Sequence, residues 1–198
     1  MAEVVPGDRV QAVANDGSIV YSEVLMFLDR SPREVRRFVT LKTEGGRTLT
    51  LTETHLVYSG DRWCDEVGCM AATYAGLVEV GQAVMVEEEG EIVARLVEAV
   101  GQATEVGVFA PLTSEGNLLV DGVLASSYAV IDSQGLAHAS FAPLRWASNL
   151  VEGSSNLWRA LSLRGPAPRG AAPTEGVHWY PRLLYSVAEH LLPSHLLP

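Results

Sequence analysis

The stretch VVPGDRVQAVANDGSIVYSEVLMF, residues 4–27, decides the fold, because much of its pattern returns further along as VEVGQAVMVEEEGEIVARLVEAV, residues 78–100. Gly7 lies over Gly81, and the turn Asp16-Gly17 lies near Gly90. A second pair follows the first: LKTEGGRTLTLTETHL (41–56) resembles LTSEGNLLVDGVLASS (112–127), with Glu44-Gly45 over Glu115-Gly116. Both pairs keep the same order, at offsets of 74 and 71 residues. A duplicated unit, two copies related by a pseudo-two-fold axis, would produce this order and offset; turn chemistry shared by chance among β-strands would also produce the likeness.

Each unit reads as β-structure. From 4 to 131, short Val-, Leu- and Thr-rich runs alternate with the turn signals PGD, NDG, EGG, YSGD, EEEG, SEG and VDG, the pattern of an all-β domain. The clearest runs are FVTLKT (38–43), RTLTLT (47–52), VMVEE (84–88), EIVARLVEAV (91–100), NLLVDGVLA (117–125) and SYAVID (127–132). A hairpin joining FVTLKT to RTLTLT through EGG is the firmest local expectation.

Bulk properties narrow the function. A chain of 198 residues, 47% of them hydrophobic, can bury a real core. A formal net charge of -10 opposes nucleic-acid binding, which needs clustered Lys and Arg to neutralise phosphates; the one basic run, SPREVRRF (31–38), is expected to be a solvated loop. No segment reaches the roughly 18–20 consecutive apolar residues of a spanning helix, and MAEVVPGDRV lacks the layout of a signal peptide. Cys64 and Cys69, the only cysteines, are too few for a four-cysteine zinc site. They close a small loop disulfide or remain two thiols, and the sequence favours neither.

After Asp132 the composition changes. SFAPLRWASNLVEGSSNLWRALSL (140–163) has helical apolar spacing, RGPAPRGAAPTEG (164–176) is a Pro/Gly/Ala linker, and VHWYPRLLYSVAEHLLPSHLLP (177–198) reads as an amphipathic helix. So apolar a tail is expected to face a ligand, a membrane surface or a partner.

Candidate chemistry is sparse. Thr52 and His55 stand three apart where RTLTLT should end, so a hydroxyl and an imidazole could address one carbonyl or amide; a strand-end Thr beside a surface His explains the spacing equally well. Asp29, at the end of the run Val24–Leu28, is a candidate general base. Its plainer role is to open a turn before Ser31-Pro32, or to pair at the surface with Arg30. No nucleophile elbow, phosphate loop, metalloprotease helix or dinucleotide fingerprint is present, so these residues alone define no reaction.

Taken together, PGDRV (6–10), YSEVLMFLDR (21–30), LTETHLVY (51–58), VGVFAPLTSEGNLLVDGVLASSYAVIDSQGLAH (106–138), FAPLR (141–145) and GVHWYPRLLY (176–185) closely resemble the C-terminal autoprocessing domain of hedgehog proteins. The resemblance implies the all-β Hint (hedgehog/intein) fold of two pseudo-symmetric β-subdomains over 1–136, and a small helical sterol-recognition tail over 137–198. It also implies a two-step reaction. A cysteine opening the domain attacks the preceding glycine carbonyl to form a thioester, and the hydroxyl of cholesterol, a co-substrate rather than a cofactor, then displaces it. Thr52 and His55 match the pair that assists the first step, and Asp29 matches the carboxylate that activates the sterol hydroxyl. Ser127 stands at an auxiliary position where the family usually has a second cysteine. Trp146, Trp158, Trp179, Tyr180 and Leu184 are the sterol-binding candidates in the tail.

By the same resemblance the partners are an upstream signalling domain in cis and cholesterol, with the tail touching a membrane surface, and the setting is the secretory pathway. Cofactors, metal and nucleic acid are not expected. The family's Cys-Phe opening lies some two dozen residues before the position of PGDRV, whereas Met1 precedes Pro6 by five. This chain alone is therefore expected to lack the nucleophile. The competing expectation, from a different class, is a sterol-binding or interaction module without chemistry.

Overall fold

The computed structural model describes residues 1–129 together with 176 and 177. Ten strands run in chain order: β1 Arg9–Val13, β2 Ile19–Thr43, β3 Thr48–Thr52, β4 His55–Gly60, β5 Ala71–Tyr74, β6 Ala83–Glu88, β7 Glu91–Thr113, β8 Asn117–Val120, β9 Val123–Ala129 and β10 Gly176–Val177. Among the described residues the only helical segments are two short 3-10 turns, Val67–Cys69 and Ala75–Leu77. All-β is thus observed. Gly176 and Val177, expected as the end of the linker and the start of a helix, are instead the short strand β10 paired with β2; the rest of the linker, the tail helices and the boundary at 136 lie outside the described residues.

The strands form one sheet in the order β1-β2-β7-β6-β4-β9-β8, with β3 and β10 also on β2 and β5 on β4. β2 and β7 are its spine. They pair antiparallel from Val24 opposite Thr113 to Thr43 opposite Val97, and the two ends of that register express the duplication. Val24 of the first unit meets Thr113 of the second, and Val97 of the second meets Thr43 of the first.

Hydrogen bonds repeat the correspondence. Gly7 N–H donates to Val24 O (2.8 Å) and Val24 N–H to Asp8 O (2.8 Å), while Gly81 N–H donates to Val97 O (2.8 Å) and Val97 N–H to Gln82 O (2.8 Å). Gly7 and Gly81 carry φ of 94° and 90°, a left-handed conformation that side chains resist. One alignment needs correction. Gly46 N–H donates to Thr43 O as Gly116 N–H donates to Thr113 O, so the counterpart of Gly116 is Gly46, one residue beyond the Gly45 that the shared Glu-Gly dipeptide selects. The turn geometry, rather than residue identity, fixes the correspondence.

The firmest local expectation holds: β3 pairs with β2 from Thr48 opposite Lys42 to Thr52 opposite Phe38. NLLVDGVLA, in contrast, is two strands rather than one, because Asp121 (φ 51°) and Gly122 (φ 80°) fold it into a tight hairpin, and SYAVID begins inside β9. The run 31–38 is also strand, not loop. A register shift between Ser31 and Val35 accommodates Pro32, so β2 continues through Asp29 to Thr43.

The main apolar core joins both units, with Val39, Leu41, Leu49 and Leu51 from the first and Val84, Val86, Val97 and Val123 from the second. Leu41, fully buried, is central to it. Leu41→Ala is expected to cost about 2–5 kcal/mol, read as a lower urea midpoint with an unchanged slope.

Candidate functional site

Thr52 ends β3 and His55 begins β4, so the tight turn between them presents both side chains to one place. That place is a cavity of about 70 Å³ whose lining includes Thr52, His55, Phe38, Phe109, Pro111 and Met1. Thr52 and His55 thus line one cavity, which Met1 lines as well.

His55 is anchored from behind. Its Nε2 lies 3.0 Å from the carbonyl oxygen of Ser126 in β9. A carbonyl only accepts, so Nε2 carries the proton and donates. No described residue bonds Nδ1, which is left as a lone pair when the ring is neutral. Removal from water disfavours the imidazolium and pulls the pKa below its ordinary 6.5, and the Ser126 bond only partly opposes this. The ring is therefore neutral near pH 7 and available as a base.

Asp29 lies within β2 rather than at a strand end, opposite Ala110 of β7 on one side and Val177 of β10 on the other. Ser31 Oγ donates to its Oδ1 at 2.7 Å, and Arg36 Nη1 lies 3.3 Å from its Oδ2. Arg36 also grips Glu34 at 2.7 and 2.9 Å. The partner of Asp29 is thus Arg36 and not Arg30, because the register shift after Ser31 brings Arg36 back over the carboxylate. Asp29 does not line the Thr52–His55 cavity.

Ser127 is buried and does not line the cavity either. Its Oγ lies 3.2 Å from Thr113 Oγ1 and 3.4 Å from Thr113 N, and its own N–H donates to Gly116 O at 3.0 Å, so it braces the turn that follows β7. Cys64 and Cys69 are joined in a disulfide, which settles the open alternative, and neither lines the cavity. Trp146, Trp158, Trp179, Tyr180 and Leu184 lie outside the described residues.

With that geometry in hand, the relatives are informative. A profile of the Hint module matches residues 1–193. The chain belongs to the Hint module family. Sonic hedgehog protein of Danio rerio is 38% identical over 97% of this chain and 45% of its own length. Protein hedgehog of Drosophila melanogaster is 39% identical over 98% of this chain and 41% of its own length. The chain therefore spans less than half the length of these curated relatives. Among solved structures, an Ssp DnaB mini-intein variant covers 65% of this chain and 80% of its own, at 12% identity and a TM-score of 0.50, a likeness of fold alone.

Two groups were not legible beforehand. Ser126 acts through its backbone carbonyl, which no side-chain pattern reports. Arg30 was visible only as a neighbour of Asp29, whereas it bonds elsewhere.

The pKa of His55 sets a pH dependence. Well above 6.5 neither folded nor unfolded imidazole holds a proton, and the stabilising contribution is complete. As pH falls below 6.5 the unfolded chain takes up a proton that the folded site resists, so the contribution is lost toward the lower folded pKa. Between about pH 7 and about pH 5 the melting temperature should fall further in the wild type than in His55→Gln. Parallel melting curves across that range would contradict the site's burial.

Proposed function

We propose that this chain is the autoprocessing part of a hedgehog-type precursor. It releases an upstream domain by an N-to-S acyl shift and passes that domain to a sterol, cholesterol being the expected acceptor. The observation that carries the reading is a neutral imidazole fixed through Nε2 by Ser126, with His55 lining a cavity that Thr52 and Met1 also line.

The chemistry follows from those parts. A cysteine thiol carried by the upstream residues gives its proton to His55 Nδ1, and its sulfur attacks the scissile carbonyl. The C–N bond then breaks as Nδ1 returns the proton to the departing nitrogen, leaving a thioester. Thr52 contacts the scissile peptide and helps orient it. In the second step the sterol hydroxyl attacks the thioester carbonyl, its proton passes to the Asp29 carboxylate, and the cysteine thiolate leaves.

The separation of Asp29 from the cavity lining suits two acceptors used in turn. Its neighbour Val177, in β10, is followed in the sequence by Trp179 and Tyr180, which supports reading the tail as the element that brings the sterol to this base. The upstream domain in cis, a membrane surface under the tail and a secretory setting complete the reading.

The test is a precursor that joins an upstream domain and a Gly-Cys-Phe junction to this chain, incubated with dithiothreitol or with cholesterol. The expected products are thiol-released upstream domain in the first case and a sterol ester, seen by mass spectrometry, in the second. Asp29→Asn should abolish only the sterol product, and His55→Ala should slow both by about 100-fold or more. A wild-type precursor that remains intact with either reagent would instead favour a binding module without chemistry.

A further inference from the structure

Arg30 is buried, yet no described carboxylate pairs with it. A buried guanidinium must be compensated, and here backbone and rings do so. Nη1 donates to Val4 O at 2.9 Å and Nη2 to Ala2 O at 2.7 Å. The cation also lies 4.7 Å from the centre of the Phe27 ring and 5.5 Å from that of Phe109, within cation–π range.

Each contact has a direction. Residues 1–4 form a turn closed by Val4 N–H on Met1 O at 3.2 Å, and the guanidinium fork grips two of the carbonyls of that segment. Phe109, opposite Arg30 in the β2–β7 register, is both a ring beneath the cation and a wall of the Thr52–His55 cavity, which Met1 also lines. Downstream, Gly7 N–H is bonded to Val24 O, so the segment is held at both ends. Such a planar fork cannot be copied by a lysine, whose ammonium is a point charge on a flexible stem.

We infer that Arg30 is a positioning residue for the first step: seated over Phe27 and Phe109, it clamps the Ala2 and Val4 carbonyls and so aims the chain arriving from upstream at His55. This rests on the autoprocessing reading for its consequence, though not for its geometry. Arg30 touches no reacting atom, and its effect lies in the alignment of the scissile peptide, where small displacements are costly.

Two measurements test it, with Arg30→Lys and Arg30→Gln made in parallel; the variant whose Leu41 amide stays protected decides. In this chain, the Val4 and Val5 amides should exchange about tenfold faster or more, with Gly7 N–H unchanged. In the precursor, thiol-driven release should slow about tenfold or more, whereas the fraction of released domain that carries sterol, when both acceptors are supplied, should not change. Unaltered exchange at Val4 and Val5 overturns the clamp. A wild-type precursor that cleaves, beside a folded variant that cleaves as fast, overturns this inference alone. A wild-type precursor inert to thiol overturns the autoprocessing reading itself, and with it any role for Arg30 in a reaction.

Discussion

The antiparallel pairing of β2 with β7 governs where Asp29, Arg30 and Thr52 lie. Each unit contributes one of these long strands, and the register from Val24/Thr113 to Thr43/Val97 means that neither unit closes its half of the core without the other. β2 carries Asp29, Arg30 and Arg36, and its far end supports β3 and hence Thr52. β7 supplies Phe109 and Pro111 to the cavity. A slip of one residue in this register would send each of these side chains to the opposite face. The bulges near Leu28 and between Ser31 and Val35 are the points where the pairing yields to let Asp29 and Arg36 meet.

On this frame the ionisable groups fall into distinct surroundings. His55 is partly withdrawn from water and tied to a carbonyl, which favours the neutral ring. Asp29 lies elsewhere on the frame, oriented by a hydroxyl and a guanidinium, beside the short strand β10. Arg30 lies over Phe27 and Phe109 and bonds the Ala2 and Val4 carbonyls. In the proposed two-step acyl transfer, separate surroundings would keep the proton donor and the base from neutralising one another.

The fold was legible because it is written twice. Turn glycines such as Gly7 and Gly81 must recur where the backbone takes positive φ, and alternating apolar residues must recur where strands bury one face, so duplication exposed both. Register was less legible: Glu44-Gly45 mimics Glu115-Gly116 in letters, while the hydrogen bonds select Gly46. Pro32 suggested a break in β2, and a bulge absorbs it instead. At the site, Thr52 and His55 could be found because adjacent strands place them three residues apart. The Ser126 carbonyl could not, since every residue has one. Arg36 could not be matched to Asp29 seven positions away, because that contact exists only through a bulge, and the roles of Thr52, His55 and Asp29 came from the family resemblance rather than from spacing.

The central claim is that His55 stands at neutral pH as a neutral ring protonated on Nε2, with Nδ1 free for proton transfer. Nitrogen-15 NMR of the histidine side chains, with His55 assigned by its loss in His55→Gln, tests this directly. The account predicts a pyrrole-like Nε2, a pyridine-like Nδ1 and a titration midpoint below the ordinary 6.5. An Nδ1-protonated tautomer, or a ring already charged near pH 7, would contradict it.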